Sequence, residues 1–230
     1  MNWELVKKDF KRYLLLERGL SDNSIAAYLN DVHKLQRFAE LNQIDLKDFQ
    51  TVDIQNFLQW VNEFAISEYT QARLLSGIKT FFGYLQIEHG ILNNPAELIE
   101  TPRLSRKIPA VLSIQEIDEL ISTIDLSTAE GTRNKAILEL LYGCGLRVSE
   151  LCNLKISNLF LDVEFIKVEG KGNKERLIPI GQQAIKFLKI YLEEIRVHQN
   201  IKSGKEDFVF LNRRGAQLSR VMIFLIIKSL

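Results

Sequence analysis

Two stretches decide how the chain reads: Leu140-Leu141-Tyr142-Gly143-Cys144-Gly145-Leu146-Arg147-Val148-Ser149-Glu150-Leu151, and Gly170-Lys171-Gly172-Asn173-Lys174-Glu175-Arg176-Leu177-Ile178-Pro179-Ile180. In the first, Ile137, Leu138, Leu140 and Leu141 close a helix predicted over residues 133–142. The glycines at 143 and 145 permit a left-handed cap, and a short helix opens at Arg147 after a tight corner. An arginine at such a corner reaches outward with five fixed donors that match phosphate oxygens; equally, it can cap or pair with Ser149 or Glu150. In the second stretch, alternation over residues 163–169 and the return over 175–180 predict a β-hairpin whose tip carries Lys171, Lys174 and Arg176. Its two glycines let the backbone approach a ligand closely. A lysine there serves as a phosphate contact or a proton donor, or it simply keeps the hairpin solvated.

Working outward, Ser113-Ile114-Gln115-Glu116 is a capping-box signature ahead of an apolar periodic run. Downstream of the hairpin, the pattern predicts a helix over about 182–197, a strand over 207–211 and a last helix from Ser219 that runs off the end of the chain. The second half therefore reads as α+β. The first hundred residues instead repeat apolar side chains at three- and four-residue steps and read as four amphipathic helices, hence an all-α bundle. Thr51 is the expected N-cap of the third helix, the fourth starts at about Ser67, and Asn93-Asn94-Pro95 is expected to stop it. Residues 101–109 hold two prolines, Arg103, Arg106 and Lys107 with no helical period, which reads as an extended basic linker able to lie along a phosphate backbone. The expected division is a helical domain over 1–100, the linker over 101–109 and a second domain over 110–230.

Composition sets the outer bounds. With 46% hydrophobic and 26% charged residues, 230 residues can bury a core, which excludes disordered, collagen-like and stapled mini-protein classes. The formal charge of +1 is an average: residues 1–105 carry 11 basic and 14 acidic side chains, and residues 106–230 carry 19 and 15. A surface for a polyanion is thus sought in the second half. Cys144 and Cys152 lack framework spacing and read as free thiols, the chain opens without a signal-peptide pattern, and no apolar run approaches the roughly 20 residues of a membrane span. A cytoplasmic location and no membrane association are expected.

The two motifs, in that order and at that separation, resemble those of the tyrosine recombinase (phage integrase) family, most closely the Xer branch that resolves chromosome dimers. The resemblance runs from the first helices to residue 230. It implies a SAM-like core-binding bundle that clasps duplex DNA, followed by a mainly helical catalytic domain with a small sheet. The implied reaction is attack of a tyrosine hydroxyl on a DNA phosphodiester, giving a 3′-phosphotyrosyl link that a 5′-hydroxyl then displaces, with no metal or cofactor. Arg147 would clamp the charged transition state and Lys171 would protonate the leaving 5′-oxygen. Arg103, Arg106, Lys107, Lys174 and Arg176 are the expected DNA contacts, and a homo- or hetero-tetramer on two DNA sites is the implied assembly. Cys144 is a departure, since relatives often carry Thr or another small residue there.

The family also uses a His-x-x-Arg motif, a second His or Trp, and the tyrosine nucleophile, all after the hairpin. The histidines are His33, His89 and His198, none followed three residues later by Arg, and each is expected to face solvent or cap a helix. Tyr191 is the one tyrosine after the hairpin and reads as a packing residue. Together with an apolar final helix, these gaps predict a catalytic domain incomplete at its C-terminus and a chain that binds DNA without cutting it. The alternatives are a non-catalytic DNA-binding or regulatory protein derived from a recombinase, and a helical adaptor that touches no nucleic acid.

Overall fold

The computed structural model describes residues 1–102, 109–170, 172 and 174–230. The chain divides into two compact units, Met1–Ile108 and Pro109–Leu230.

The first unit holds α1 (Trp3–Leu16), α2 (Asp22–Asn42), α3 (Thr51–Asn62) and α4 (Glu68–His89). α1 starts because the Asn2 side chain accepts from the Glu4 and Leu5 N–H groups at 2.9 and 3.3 Å, and it buries Val6, Phe10 and Leu14, spaced four apart on one face. At α3 the expected cap moves by one residue. Gln50 is the extended residue, its N–H donates to Asp53 Oδ2 at 2.8 Å, and Thr51 is already helical. Ser67 caps α4 as expected, by accepting from the Thr70 N–H. α4 stops before Asn93, however, because Gly90 takes φ +64° and donates its N–H to the Leu85 carbonyl. Asn94 instead folds the following segment back, donating from Nδ2 to Lys79 O at 3.2 Å and accepting the Ala96 N–H. The core is aromatic at its centre, with Phe10 edge-on to Phe81 at 5.1 Å and Phe38 against Phe57 at 5.6 Å. One carboxylate lies inside it. Asp31 is fully buried and accepts both Nη1 and Nη2 of Arg73, at 2.7 and 2.6 Å. Gly77 makes the room, since a Cβ there would fall 2.5 Å from Asp31 Oδ2.

The second unit begins with α5 (Ile114–Ser122), capped reciprocally by Ser113 and Glu116 as the sequence predicts. α6 (Ala129–Gly143) starts four residues earlier than expected, capped by Thr128 Oγ1 accepting from the Gly131 N–H at 3.0 Å. Gly131 is a packing requirement: a Cβ there would lie 1.8 Å from the Asp125 carbonyl oxygen. After α7 (Val148–Cys152) come β1 (Leu159–Phe160), β2 (Phe165–Glu169) and β3 (Glu175–Pro179), an antiparallel sheet in the order β1-β2-β3. β2 begins later than expected because Glu164 is left-handed at φ 59°, and β1 is a strand the alternation pattern misses. In the hairpin Lys167 faces Leu177, Val168 faces Arg176 and Glu169 faces Glu175.

α8 (Gln182–Ile190) continues through a wide π turn at Tyr191–Ile195 and a tighter turn at Arg196–His198. The expected strand over 207–211 is not one. Among the described residues it makes only isolated bridges, Lys155 with Phe208 and Leu211 with Gln217. Two of its carbonyls go to buried arginines, Phe208 O to Arg196, which also donates to Glu206 O, and Leu211 O to Arg133 Nη1 at 3.2 Å, while Asp207 O and Phe210 O accept the Ile156 and Leu218 N–H groups. Residues Val209, Phe210 and Leu211 are all fully buried, which explains a strand-like apolar run without a ladder. α9 (Arg220–Lys228) is capped by Ser219, buries Ile223 and leaves Val221, Phe224 and Leu225 more than half exposed. Among the described residues no helix is long and apolar enough to cross a membrane.

Candidate active site

The corner between α6 and α7 forms because Cys144 ends the helix, Gly145 turns the chain at φ +59° and Leu146 plugs into the core. Arg147 follows as the extended N-cap of α7. Its backbone N–H donates to Glu150 Oε2 at 2.8 Å and its Nη1 to Glu150 Oε1 at 2.8 Å, yet its side chain stays 68% exposed. Local pairing and outward reach, which the sequence leaves as alternatives, thus coexist in one side chain.

The partner of that pairing is the organising group. Glu150 has a side chain only 2% exposed, and from β3 it receives Arg176 as well, Nη1 on Oε1 at 2.8 Å and Nη2 on Oε2 at 2.9 Å. Burial pushes the Glu150 carboxyl upward. The Arg147 N–H, the Arg147 guanidinium and Arg176 outweigh that and hold it below the usual carboxylate range, so it stays ionised between the two cations. The cluster carries two positive charges and one negative, with the surplus at the exposed Arg147. The sequence reading passes over Glu150 as an organising group. Its signal is present, an acid three residues after the N-cap as in a capping box, but the bond to Arg176 joins residues 26 apart.

Above this cluster, Gly170 N–H donates to Lys174 O at 2.8 Å and closes the hairpin turn, with Gly172 at φ +76° and Lys174 exposed. Lys171 lies outside the described residues, as do Arg103, Arg106 and Lys107 of the linker. A polar cavity of about 430 Å³ opens beside the cluster, where Lys155 and Lys167 join Glu150 and Gly170 in its wall.

His33 and His198 are exposed, and exposed His89 meets Tyr84, whose OH lies 3.3 Å from Nε2. Tyr191 is fully buried, stacked on Phe210 at 5.4 Å, and its hydroxyl accepts the Leu211 N–H at 3.3 Å. Burial pushes its phenol upward against the lowering effect of that N–H, which suits a packing residue and not a nucleophile. Cys144 and Cys152 are free, and burial raises both thiols. Among the described residues no group of His, Cys, Asp and Glu is arranged to hold a metal ion.

Residues 8–89 match the model of the phage integrase N-terminal SAM-like domain, and residues 110–230 match that of the phage integrase family. The chain belongs to the phage integrase family, whose members are the tyrosine recombinases. It is 39% identical over 227 residues to the tyrosine recombinase XerD of Staphylococcus saprophyticus, covering 98% of this chain and 77% of that one. Against the XerD of Chlorobaculum tepidum it is 39% identical over 232 residues, covering 99% and 75%. Within the family it therefore fits the Xer-like recombinases, whose work is site-specific DNA recombination.

The fold agrees. A crystal structure of a lambda integrase dimer bound to a core site superposes with a TM-score of 0.73 at 18% identity, covering 100% of this chain and 80% of that one. The XerH recombinase in its post-cleavage complex gives 0.71 at 21% identity, covering 97% and 67%. The helical bundle followed by a mainly helical unit with a small sheet is the arrangement the resemblance implies.

Proposed function

We propose that this chain acts in site-specific recombination by gripping duplex DNA and presenting the arginine and lysine part of a tyrosine recombinase site. The observation that carries this is the corner itself: an exposed Arg147 held by a buried, ionised Glu150 is a preorganised cation aimed at solvent, which is what stabilising charge on a phosphodiester in displacement requires. Lys171, which lies in the sequence between β2 and β3, supplies the proton to the leaving 5′-oxygen. Arg103, Arg106, Lys107 and Lys174 serve as phosphate contacts. Arg176 stands apart from them, since its Nη1 and Nη2 are already engaged by Glu150. Residues 1–100 and 110–230 both grip the duplex, and 101–109 follow its backbone, in the cytoplasm and without metal or cofactor.

The family's tyrosine nucleophile and His-x-x-Arg have no counterpart among these 230 residues, and the hydroxyl of Tyr191 is committed inside the core. The 230-residue polypeptide on its own is therefore a DNA binder that does not cut. The same two facts favour, as a second reading, a regulatory DNA-binding role in which Arg147 and Lys171 are phosphate contacts only. Binding to a short mixed-sequence duplex at rising salt tests the shared premise. Counterion release predicts that log K falls linearly with log salt, by about 0.9 per phosphate contact, whereas a helical adaptor gives a slope near zero.

A further inference from the structure

We propose that Arg176 is a positioning residue: through the Glu150 carboxylate it shares with Arg147, it locks the hairpin stem to the α6–α7 corner and leaves Arg147 free to face DNA. The inference rests on Arg147 being a phosphate contact. It gives Arg176 a role the hairpin's basic sequence does not suggest.

The register of the sheet is the first argument. Arg176 lies directly opposite Val168, and opposed residues in an antiparallel pair share a face. Val168 is buried in the core of this unit and Ile178, two residues along β3, packs against the same core. Arg176 thus leaves the sheet on its inner side, where its side chain keeps 41% exposure, while its neighbours Glu175 and Leu177 occupy the outer side. The second argument is the fork. Arg176 places Nη1 and Nη2 on the two different oxygens of one carboxylate, the bidentate arrangement that a planar guanidinium makes and an ammonium does not.

The third argument is what Glu150 would do without it. A carboxylate 2% exposed needs its charge met within the protein. Arg147 meets it with one guanidinium nitrogen and one backbone N–H and keeps two thirds of its side chain in solvent. With Arg176 gone, Glu150 draws the whole Arg147 fork inward, and the outward-facing cation is lost. Position 170 shows how closely the hairpin neck rests on this pair: a Cβ there would meet Arg176 Nη1 and Glu150 Oε1, each at 3.6 Å. The same residue's N–H donates to Lys174 O and closes the hairpin.

The test uses the 230-residue chain, a mixed-sequence duplex and the slope of log K against log salt, with far-UV circular dichroism to establish folding. R147A is expected to make the slope shallower by about 0.9, the loss of one phosphate contact. R176K, which keeps the charge and loses the fork, is expected to do the same, and R147A/R176K to lose nothing more. A lysine that serves as an ordinary phosphate contact would keep the original slope, and a purely structural role would lower the melting temperature while leaving the slope untouched. Either result, or additive losses in the double variant, overturns the proposal. If R176K does not fold, E150Q carries the test. Positioning predicts a shallower slope even though a negative charge has been removed, and an equal or steeper slope overturns it. An unchanged slope in R147A overturns the phosphate-contact reading and the proposal with it, whereas R147A shallow beside R176K unchanged overturns the proposal alone.

Discussion

Replacing Arg73 with Ala strips the bidentate partner from a carboxylate that is fully buried. Asp31 is fully buried in α2, and both of its oxygens are taken by Arg73 at 2.6 and 2.7 Å. Removing one member of a buried pair costs about 3–5 kcal/mol, and because the Arg73 side chain is itself 47% exposed, the lower end, about 3 kcal/mol, applies. That is a large part of the roughly 5–15 kcal/mol that holds a domain together. The pH dependence follows from the direction of the shift. Burial raises the Asp31 pKa while the Arg73 hydrogen bond and charge lower it, so losing Arg73 raises it further. An acid whose folded-state pKa lies above its unfolded value penalises folding above that pKa, and the penalty fades as pH falls through it.

Urea unfolding followed by tryptophan fluorescence reads this unit alone, because both tryptophans, Trp3 and Trp60, lie in it. With an m-value of about 2 kcal/mol per M, the midpoint should drop by about 1.5 M near neutral pH and by less in mildly acidic buffer. Asp31→Asn on the Arg73→Ala background should recover part of the loss. A loss below about 0.5 kcal/mol, or one that grows as pH falls, refutes the reasoning.

Three further outcomes follow from the geometry. Gly83→Ala in α4 meets nothing within 4 Å and should stabilise by about 1 kcal/mol, whereas Gly131→Ala in α6 drives a Cβ to within 1.8 Å of Asp125 O and should destabilise despite better helix propensity; thermal melts compare the signs. Tyr191→Phe leaves the buried Leu211 N–H without its acceptor and should cost about 1–3 kcal/mol by chemical denaturation, with no change in DNA affinity. Glu150, held below the usual carboxylate range, contributes stability that is full above the unfolded value of about 4.3 and is lost as pH falls through the lower folded one. Glu150→Gln should therefore flatten the acid limb of the stability profile, and an unchanged limb argues against an ionised Glu150.

Where structure follows from short-range chemistry, the sequence was sufficient. Ser113 with Glu116, Ser67 and Ser219 cap the helices they announce, and the alternation around residues 170–174 makes a hairpin. It was insufficient where a distant group decides. The run Val209-Phe210-Leu211 has a strand's composition, but Leu211 O is claimed by the distant Arg133 and Phe210 O by the Leu218 N–H, while Arg196 takes the Phe208 carbonyl just before the run. Gly131 obscures the start of α6 because it answers to the Asp125 carbonyl and not to helix propensity. In the site, the two motifs announce Arg147 and the hairpin, while the role of Glu150 emerges only when β3 folds against α7 and brings Arg176 to it.

The central claim is that this polypeptide holds DNA with a preorganised Arg147 and that Tyr191, the one tyrosine after the hairpin, is buried away from any phosphate. The most direct measurement incubates it with a nicked suicide duplex carrying its recombination site and looks for a covalent complex that survives denaturation. The account predicts salt-sensitive retention of the duplex and no covalent product. A denaturation-resistant adduct, lost in Tyr191→Phe, would show that the buried phenol reaches the phosphate and would contradict it.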